Sequence, residues 1–200
     1  FAEHVPAAFA LCGRLVNVPL ASTSPKAADA HRETVDRLVA LGHRRIVHLS
    51  REERRKPTPG YLEKLFLDRL EHHGITTGDY NLPEWEESAE GLNALLESLF
   101  NYTAPTAMII DGYVLYNAVR SYLGNHGILV PDQVSLVCSE YDPSFDWCLP
   151  KVAHLTWDSG PIIRRVVKWT DNMSRGREDH RKSSTKARLV LGDTIGPARK

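Results

Sequence analysis

The sequence has little cysteine, no net charge and no long apolar run, and each shortage excludes a class of protein. Its three cysteines, Cys12, Cys138 and Cys148, show no C-x-x-C or Cys/His ligand spacing among 200 residues. This cysteine usage favours a reducing, cytoplasmic compartment. Basic and acidic residues number 25 each, so no overall charge draws the chain to nucleic acid or to anionic lipid.

Signals for membrane insertion, secretion and catalysis are also missing. No apolar segment approaches the roughly 18 residues that span a bilayer, and the start, "FAEHVPAAFALCG", lacks the basic region of a secretion signal. No G-x-S-x-G, H-E-x-x-H, P-loop or G-x-G-x-x-G string occurs. We therefore expect no enzyme, no cofactor, no metal site and no membrane partner. Because the first residue is Phe1, we expect the chain to be part of a longer protein.

The first clear element is a helix that leads into a strand. Residues 27–41 carry apolar and small side chains at helical spacing, and Gly42 follows where a left-handed stop is expected. Ile46, Val47 and Leu49 then form a short apolar run that predicts a buried strand. Arg44 and Arg45 lie at this joint, where cationic side chains suit the negative end of a helix.

The same alternation recurs along the chain. Helical periodicity predicts further helices at 60–73, about 89–101 and about 160–174, and one that begins near Tyr113 and runs through Val119 and Leu123. Strands are predicted at 107–111, 134–138, 153–157 and 187–191, and a polar stretch at 174–186 is predicted as a loop. Alternating strands and helices indicate an α/β fold with parallel sheets, whose ligands usually lie beyond the carboxyl ends of strands.

Two strings resemble a known family. "LVALGHRRIVHLS" and "HGILVPDQVSLVC", with "PTAMIID" before the second, resemble the effector-binding domain of the LacI/GalR family of transcriptional regulators. The resemblance extends over about residues 14–196. It implies a two-lobed, periplasmic-binding-protein-like α/β fold, with the first lobe incomplete in this chain. The N-terminal lobe would comprise 1–42 plus 155–178, and the C-terminal lobe 43–154 plus 179–200.

The function implied by the resemblance is ligand sensing. The chain would be the regulatory domain of a bacterial transcriptional regulator, cytoplasmic and homodimeric, with a small-molecule effector in the cleft between the lobes. DNA would be bound through a domain upstream of Phe1. Several of the family's ligand-contact positions carry other residues in this chain. The ligand class therefore stays open between a sugar, an aromatic acid, a nucleoside and no ligand. A solute-binding protein of an import system is the alternative, because it shares the fold.

The resemblance also implies contact positions in the first loop of the C-terminal lobe. Sugar-binding members carry an arginine shortly before a glycine-aromatic pair, because a guanidinium group suits vicinal hydroxyls. The pair here is Gly60-Tyr61, and Pro57 occupies the arginine position. Arg54, Arg55 or Lys56 could substitute from nearby, with Tyr61 following, or these basic residues could belong to a solvated loop.

Four further positions follow later strands. Gly112 and Tyr113 occupy the positions of a family asparagine-aspartate pair, and Asp111, just before them, could either contact ligand or cap the following helix. Glu140 keeps a carboxylate where relatives use an aspartate for ligand hydroxyls. Trp157 replaces a glutamine that faces the ligand, and its indole could stack on a ligand ring or pack the hinge. The predicted ligand-binding residues are Glu140, Trp157, Asp111, Tyr113, Tyr61 and Arg55.

Overall fold

The computed structural model describes residues 9–11 and 20–199, which form two compact units. Of these residues, unit one comprises 9–11, 20–29 and 157–188, and unit two comprises 30–156 and 189–199. The chain therefore passes from one unit to the other three times.

The described elements alternate between strand and helix as the periodicity predicts. The strands are β1 (Phe9–Leu11), β2 (Ala21–Lys26), β3 (Ile46–Leu49), β4 (Ala107–Ile110), β5 (Ser135–Cys138), β6 (Ala153–Trp157) and β7 (Lys182–Val190). The helices are α1 (Ala28–Ala40), α2 (Tyr61–His72), α3 (Ala89–Tyr102), α4 (Tyr113–Asn125) and α5 (Gly160–Ser174). Short 3-10 turns occur at Glu52–Arg54 and Pro143–Trp147.

Unit two is a parallel sheet in the order β3-β4-β5-β6 with helices on both faces. Alternate strand residues point to opposite faces. Val47, Leu49, Met108 and Ile110 join the apolar cluster of α3 and α4, while Ile46 and Ile109 join that of α1 and α2. Burial on both faces explains why these strands are mostly apolar instead of alternating between apolar and polar residues.

Unit one pairs β1, β2 and β7 in parallel, and polar contacts hold much of it together. Asp179, before β7, is buried and accepts hydrogen bonds from Arg165 on α5, from Asn172 and from Arg181. These donors hold the pKa of Asp179 well below its usual range, the hydrogen bond from Arg181 contributing most. A buried carboxylate with this many donors is a structural anchor.

Most predicted elements of the described chain are confirmed to within two residues. Gly42 has a φ of 91° at the predicted helix stop. Arg44 Nη1 donates to the carbonyl oxygens of Val39 and His43 at the end of α1, which confirms the helix-to-strand joint. Cys12 lies outside the described residues.

The prediction of a loop at 174–186 was wrong at its end, because β7 begins at Lys182, five residues before the predicted strand. Residues 182–186 pair with β2 in parallel register, and Ser183 Oγ donates to Thr23 Oγ1 at 3.0 Å. The pairing uses backbone groups, so polar and exposed side chains do not prevent it.

The predicted lobe boundaries differ from the two units at 30–42 and 179–188. Residues 30–42 belong to unit two because Val35, Leu38 and Val39 pack in the same apolar cluster as Ile46. Residues 179–188 belong to unit one because β7 pairs with β2 there. The assignment of the units to functional lobes stays a prediction.

Among the described residues, no helix combines the length and apolar character that crossing a membrane requires.

Candidate ligand site

The parallel register of unit two brings several polar side chains to one edge of its sheet. The last paired residues of the four neighbouring strands lie side by side; they are Leu49, Ile110, Cys138 and His154. The residues that directly follow β3, β4 and β5 are Ser50, Asp111 and Ser139. This edge is where ligands of open α/β sheets usually bind, and we call it the carboxyl edge.

Asp111 is the central carboxylate of the carboxyl edge. It is buried, and Ser139 Oγ donates to its Oδ1 at 3.0 Å. The Nε of Arg54, from the loop after β3, lies 3.7 Å from Asp111 Oδ2. Arg54 is more than half exposed, so its guanidinium group is accessible to solvent. The edge therefore offers a held carboxylate beside an accessible cation.

Glu140, not Asp111, supports the first turn of α4. The backbone N–H of Tyr113 donates to Glu140 Oε1 at 3.0 Å, so the carboxylate satisfies a free N–H at the positive end of the helix. Gly112 before it has a φ of 79°, which favours glycine. A Cβ there would come to 3.4 Å from Glu140 Oε1. The capping role that Asp111 could have had falls to Glu140.

Arg55 is fixed inside unit two instead of lying in a solvated loop. Its side chain is 15% exposed, and its Nε lies 3.2 Å from Oε1 of the buried Glu63, without hydrogen-bond geometry. The other oxygen of Glu63 accepts from Gly60 N at 2.8 Å. A Cβ on Gly60 would collide with the Arg54 carbonyl oxygen. Arg55, Glu63 and Gly60 therefore hold the loop after β3 against α2.

A buried histidine pair lies beneath this loop. The rings of His31 on α1 and His48 on β3 are 5.9 Å apart, and both residues are buried. Burial, and then the neighbouring His48, lower the pKa of His31 to about 3, although Asp111 opposes this. Burial, and then Arg55, lower the pKa of His48 to about 4. Both rings are therefore neutral at pH 7.

His48 has one buried ring nitrogen, Nδ1, with no hydrogen-bond partner among the described residues. Its ring instead packs edge-on against Phe66 at 5.3 Å between centroids. The partner of the pair, His31, was not predicted, because its helical position alone indicates only a core-facing side chain.

Three partly exposed tyrosines supply apolar surface near the strand ends. Tyr61 begins α2, Tyr113 begins α4, and Tyr141 follows the Glu140 position; their exposed fractions are 49%, 40% and 39%. Tyr141 OH donates to Asp146 Oδ2 at 2.8 Å, and its ring lies 5.2 Å from that of His154. Accessible aromatic faces suit planar or ring-shaped ligands.

The predicted ligand residues are thus divided between the units. Asp111, Tyr113, Glu140, Arg55 and Tyr61 lie in unit two, at or behind the ends of parallel strands. Trp157 is half-buried at the end of β6 and belongs to unit one. The hydrogen bond from Ser139 to Asp111 was not predicted, and Arg54, one of the basic residues proposed to replace the family arginine, was not predicted to lie beside Asp111. The sequence feature that could have indicated Ser139 and Arg54 is their position after the predicted strands β5 and β3, at the edge of the sheet where ligands are expected.

The chemistry available at the carboxyl edge is recognition by hydrogen bonds, charge and stacking. Asp111 accepts, Arg54 donates and the tyrosine rings offer apolar faces. In the part of the chain that the structure describes, no group of three or more His, Cys, Asp or Glu side chains could hold a metal ion.

Comparison with protein families gives a match over most of the chain. Residues 35–195 match the model of the periplasmic binding protein-like domain. The chain belongs to this family. A search of curated proteins found no match. The family membership confirms the predicted two-lobed, periplasmic-binding-protein-like α/β fold class.

Solved structures similar to the chain include several LacI-family regulators. The Escherichia coli transcriptional repressor AscG is 18% identical with a TM-score of 0.75, over 93% of this chain and 68% of that one. A LacI-family regulator from Mycobacterium smegmatis has 18% identity and a TM-score of 0.76, over 98% and 72%. A LacI-family regulator from Enterococcus faecium with bound ribose has 14% identity and a TM-score of 0.77, over 96% and 71%. The resemblance to LacI-type effector-binding domains is therefore confirmed at the level of the fold.

Proposed function

We propose that this chain is the ligand-sensing domain of a bacterial DNA-binding transcriptional regulator. The observation that carries the proposal is the fold shared, over 96% of this chain, with a LacI-family regulator that holds ribose. Membership of the periplasmic binding protein-like domain family supports the ligand-binding half of the proposal. The proposed protein is cytoplasmic and homodimeric, and reads DNA through a domain upstream of Phe1.

The effector is proposed to bind at the carboxyl edge of unit two. Asp111 can accept hydrogen bonds there, and Arg54 can donate them. Tyr61 and Tyr113 are exposed enough to cover a ring. A polyhydroxylated ring of the ribose class suits this combination of a carboxylate, a guanidinium group and aromatic faces. Ligand binding would then shift an equilibrium between conformations that the DNA-binding domain reads.

The test measures DNA binding by the full-length gene product. Fluorescence anisotropy would report its affinity for the DNA upstream of its own gene and for a scrambled duplex of equal length, with and without ribose and related pentoses and hexoses. We expect preference for the upstream DNA, and at least one sugar that changes that affinity about fivefold or more, the lower end of typical allosteric couplings.

Two outcomes would contradict the proposal. Equal affinity for both duplexes under every ligand condition would contradict the proposal that the protein is a transcriptional regulator. Recovery of the intact protein only outside the cytoplasm, in a fractionation of the native cells, would favour a solute-binding protein of an import system instead.

A further inference from the structure

A second concave surface lies at the other edge of the sheet in unit two. It is an open groove of about 430 Å³, within the size range of small-ligand sites. Apart from Arg199, which follows β7, its residues precede β3, β4 or β5 or lie at the ends of α3 and α4, so we call it the amino-edge groove. The residues used below are Arg45, Phe100, Tyr122, His126, Ile128 and Arg199.

The charge of the amino-edge groove is of one sign. Two arginines, Arg45 and Arg199, line it, and no aspartate or glutamate does. Within residues 9–11 and 20–199, neither guanidinium group has a carboxylate within ion-pair distance. Two exposed cations without a counter-charge attract an anion, and a guanidinium fork matches a carboxylate in geometry.

Arg45 is held at the groove. Its Nε donates to the carbonyl oxygen of Ala104 at 2.8 Å. This contact fixes the side chain between the start of β3 and the segment before β4, so less conformational freedom is lost when the remaining donors bind a ligand.

The carbonyl groups at the nearby helix ends do not oppose an anion strongly. At the end of α3, Leu99 O accepts from Thr103 N at 3.1 Å. At the end of α4, Tyr122 O accepts from His126 N, and Leu123 O accepts from Ile128 N at 2.9 Å. Local donors therefore already satisfy these three oxygens near the arginines.

Part of the remaining lining is apolar and aromatic, beside the polar side chains of Asn101, Thr106 and Gln133. The rings of Phe100 and Tyr122 have centroids 6.4 Å apart and an interplanar angle of 33°. Tyr122 is buried and its ring stacks on that of His126 at 4.0 Å, while Phe100 and Ile128 are half-buried. This wall suits a flat apolar ring.

We propose that the amino-edge groove is a second ligand site, which binds a small aromatic carboxylate through Arg45 and Arg199 and packs its ring against Phe100 and Tyr122. The site is distinct from the proposed effector site because the two lie at opposite edges of one sheet. It goes beyond the proposed function, since ligand binding at the groove requires neither DNA binding nor a sugar effector.

The experiment uses 4-fluorobenzoate as the probe, titrated against the full chain and followed by 19F NMR. Two partial probes test whether binding needs both the aromatic ring and the carboxylate charge. 4-Fluorobenzyl alcohol has the ring without the charge, and acetate, added as a competitor, has the charge without the ring. The groove variant is the double substitution Arg45→Gln with Arg199→Gln. Arg37→Gln on the exposed face of α1 is the matched control for loss of an arginine, and Arg54→Gln removes the cation of the carboxyl edge.

We expect 4-fluorobenzoate to bind at least about tenfold more tightly than either partial probe. The double variant should raise its dissociation constant at least about tenfold, while Arg37→Gln and Arg54→Gln leave it within about twofold. Circular dichroism should show that all variants fold. Absence of binding, equal binding of the alcohol, or an unchanged affinity in the double variant would overturn the proposal. So would loss of binding in Arg54→Gln, because the probe would then occupy the carboxyl edge.

Discussion

The two edges of the unit-two sheet use charged side chains in opposite ways. At the carboxyl edge Arg54 lies near Asp111, Arg55 near Glu63, and the Glu140 carboxylate binds the start of α4. At the amino edge Arg45 and Arg199 have no carboxylate partner among the described residues. The Arg55–Glu63 pair shapes a loop and Glu140 fixes a helix end, whereas the two arginines of the amino edge, without carboxylate partners in the described chain, are available to a ligand. Charge pairing, not the number of charges, therefore distinguishes the edges.

The largest effect is expected from breaking the buried pair behind the carboxyl edge. Glu63→Ala leaves Arg55 largely buried without a counter-charge and removes the acceptor of Gly60 N. Loss of one partner of a buried pair costs about 4 kcal/mol of unfolding free energy, which urea unfolding would measure. Lys56→Ala is the matched control, because the Lys56–Glu52 pair is exposed and should contribute less than about 1 kcal/mol. Similar losses in the two variants would mean that the Arg55–Glu63 pair is not a structural anchor.

A pH-dependent effect is expected from the histidine pair. The folded pKa of His48 is about 4, below the ordinary histidine value of 6.5, so between these values the unfolded chain binds the proton and the folded chain does not. The contribution of His48 to the unfolding free energy should therefore fall with falling pH in this window, by up to about 3 kcal/mol, and level off below pH 4.

His48→Gln tests this dependence by urea unfolding at intervals from pH 7 to pH 4. The slope of unfolding free energy against pH should become shallower by up to about 1.4 kcal/mol per pH unit, the limit for one proton. His72→Gln, at an exposed position of α2, should leave the slope unchanged. A slope that is the same in wild type and His48→Gln would show that His48 is not held neutral by burial.

The smallest effect on unfolding free energy is expected from substitution of Glu140. Measuring stability and effector affinity in the same variants separates a structural role of Glu140 from a ligand-binding role. Glu140→Ala removes the acceptor of Tyr113 N and should cost about 1 kcal/mol of unfolding free energy. Glu140→Gln keeps an acceptor oxygen and should cost less. If Glu140 also binds the effector through its charge, both variants should weaken effector binding, measured by calorimetry with the sugar that the DNA assay identifies.

Trp157→Ala completes the test of the predicted ligand residues, and it too should weaken effector binding while the fold is kept. Unchanged effector affinity in Glu140→Ala and in Trp157→Ala would refute the predicted ligand-residue set. An effect of Glu140→Ala on stability alone would assign Glu140 to helix capping.

The sequence by itself determined the order of elements in unit two and the fold family. Apolar runs at 46–49, 107–110 and 135–138 and the helical stripes between them are local signals, since each depends on residues only a few positions apart. The helix stop at Gly42 is local in the same sense, because a positive φ favours glycine.

Only the tertiary structure decided which side chains meet. Glu63 pairs with Arg55, Glu140 binds the start of α4, and His31 lies beside His48 because sheet register and helix packing bring distant positions together. The polar start of β7 was hidden for the same reason, since its partner β2 is about 160 residues away and the pairing uses backbone groups that carry no side-chain pattern. Local periodicity predicts elements, whereas charge pairing depends on contacts across the fold.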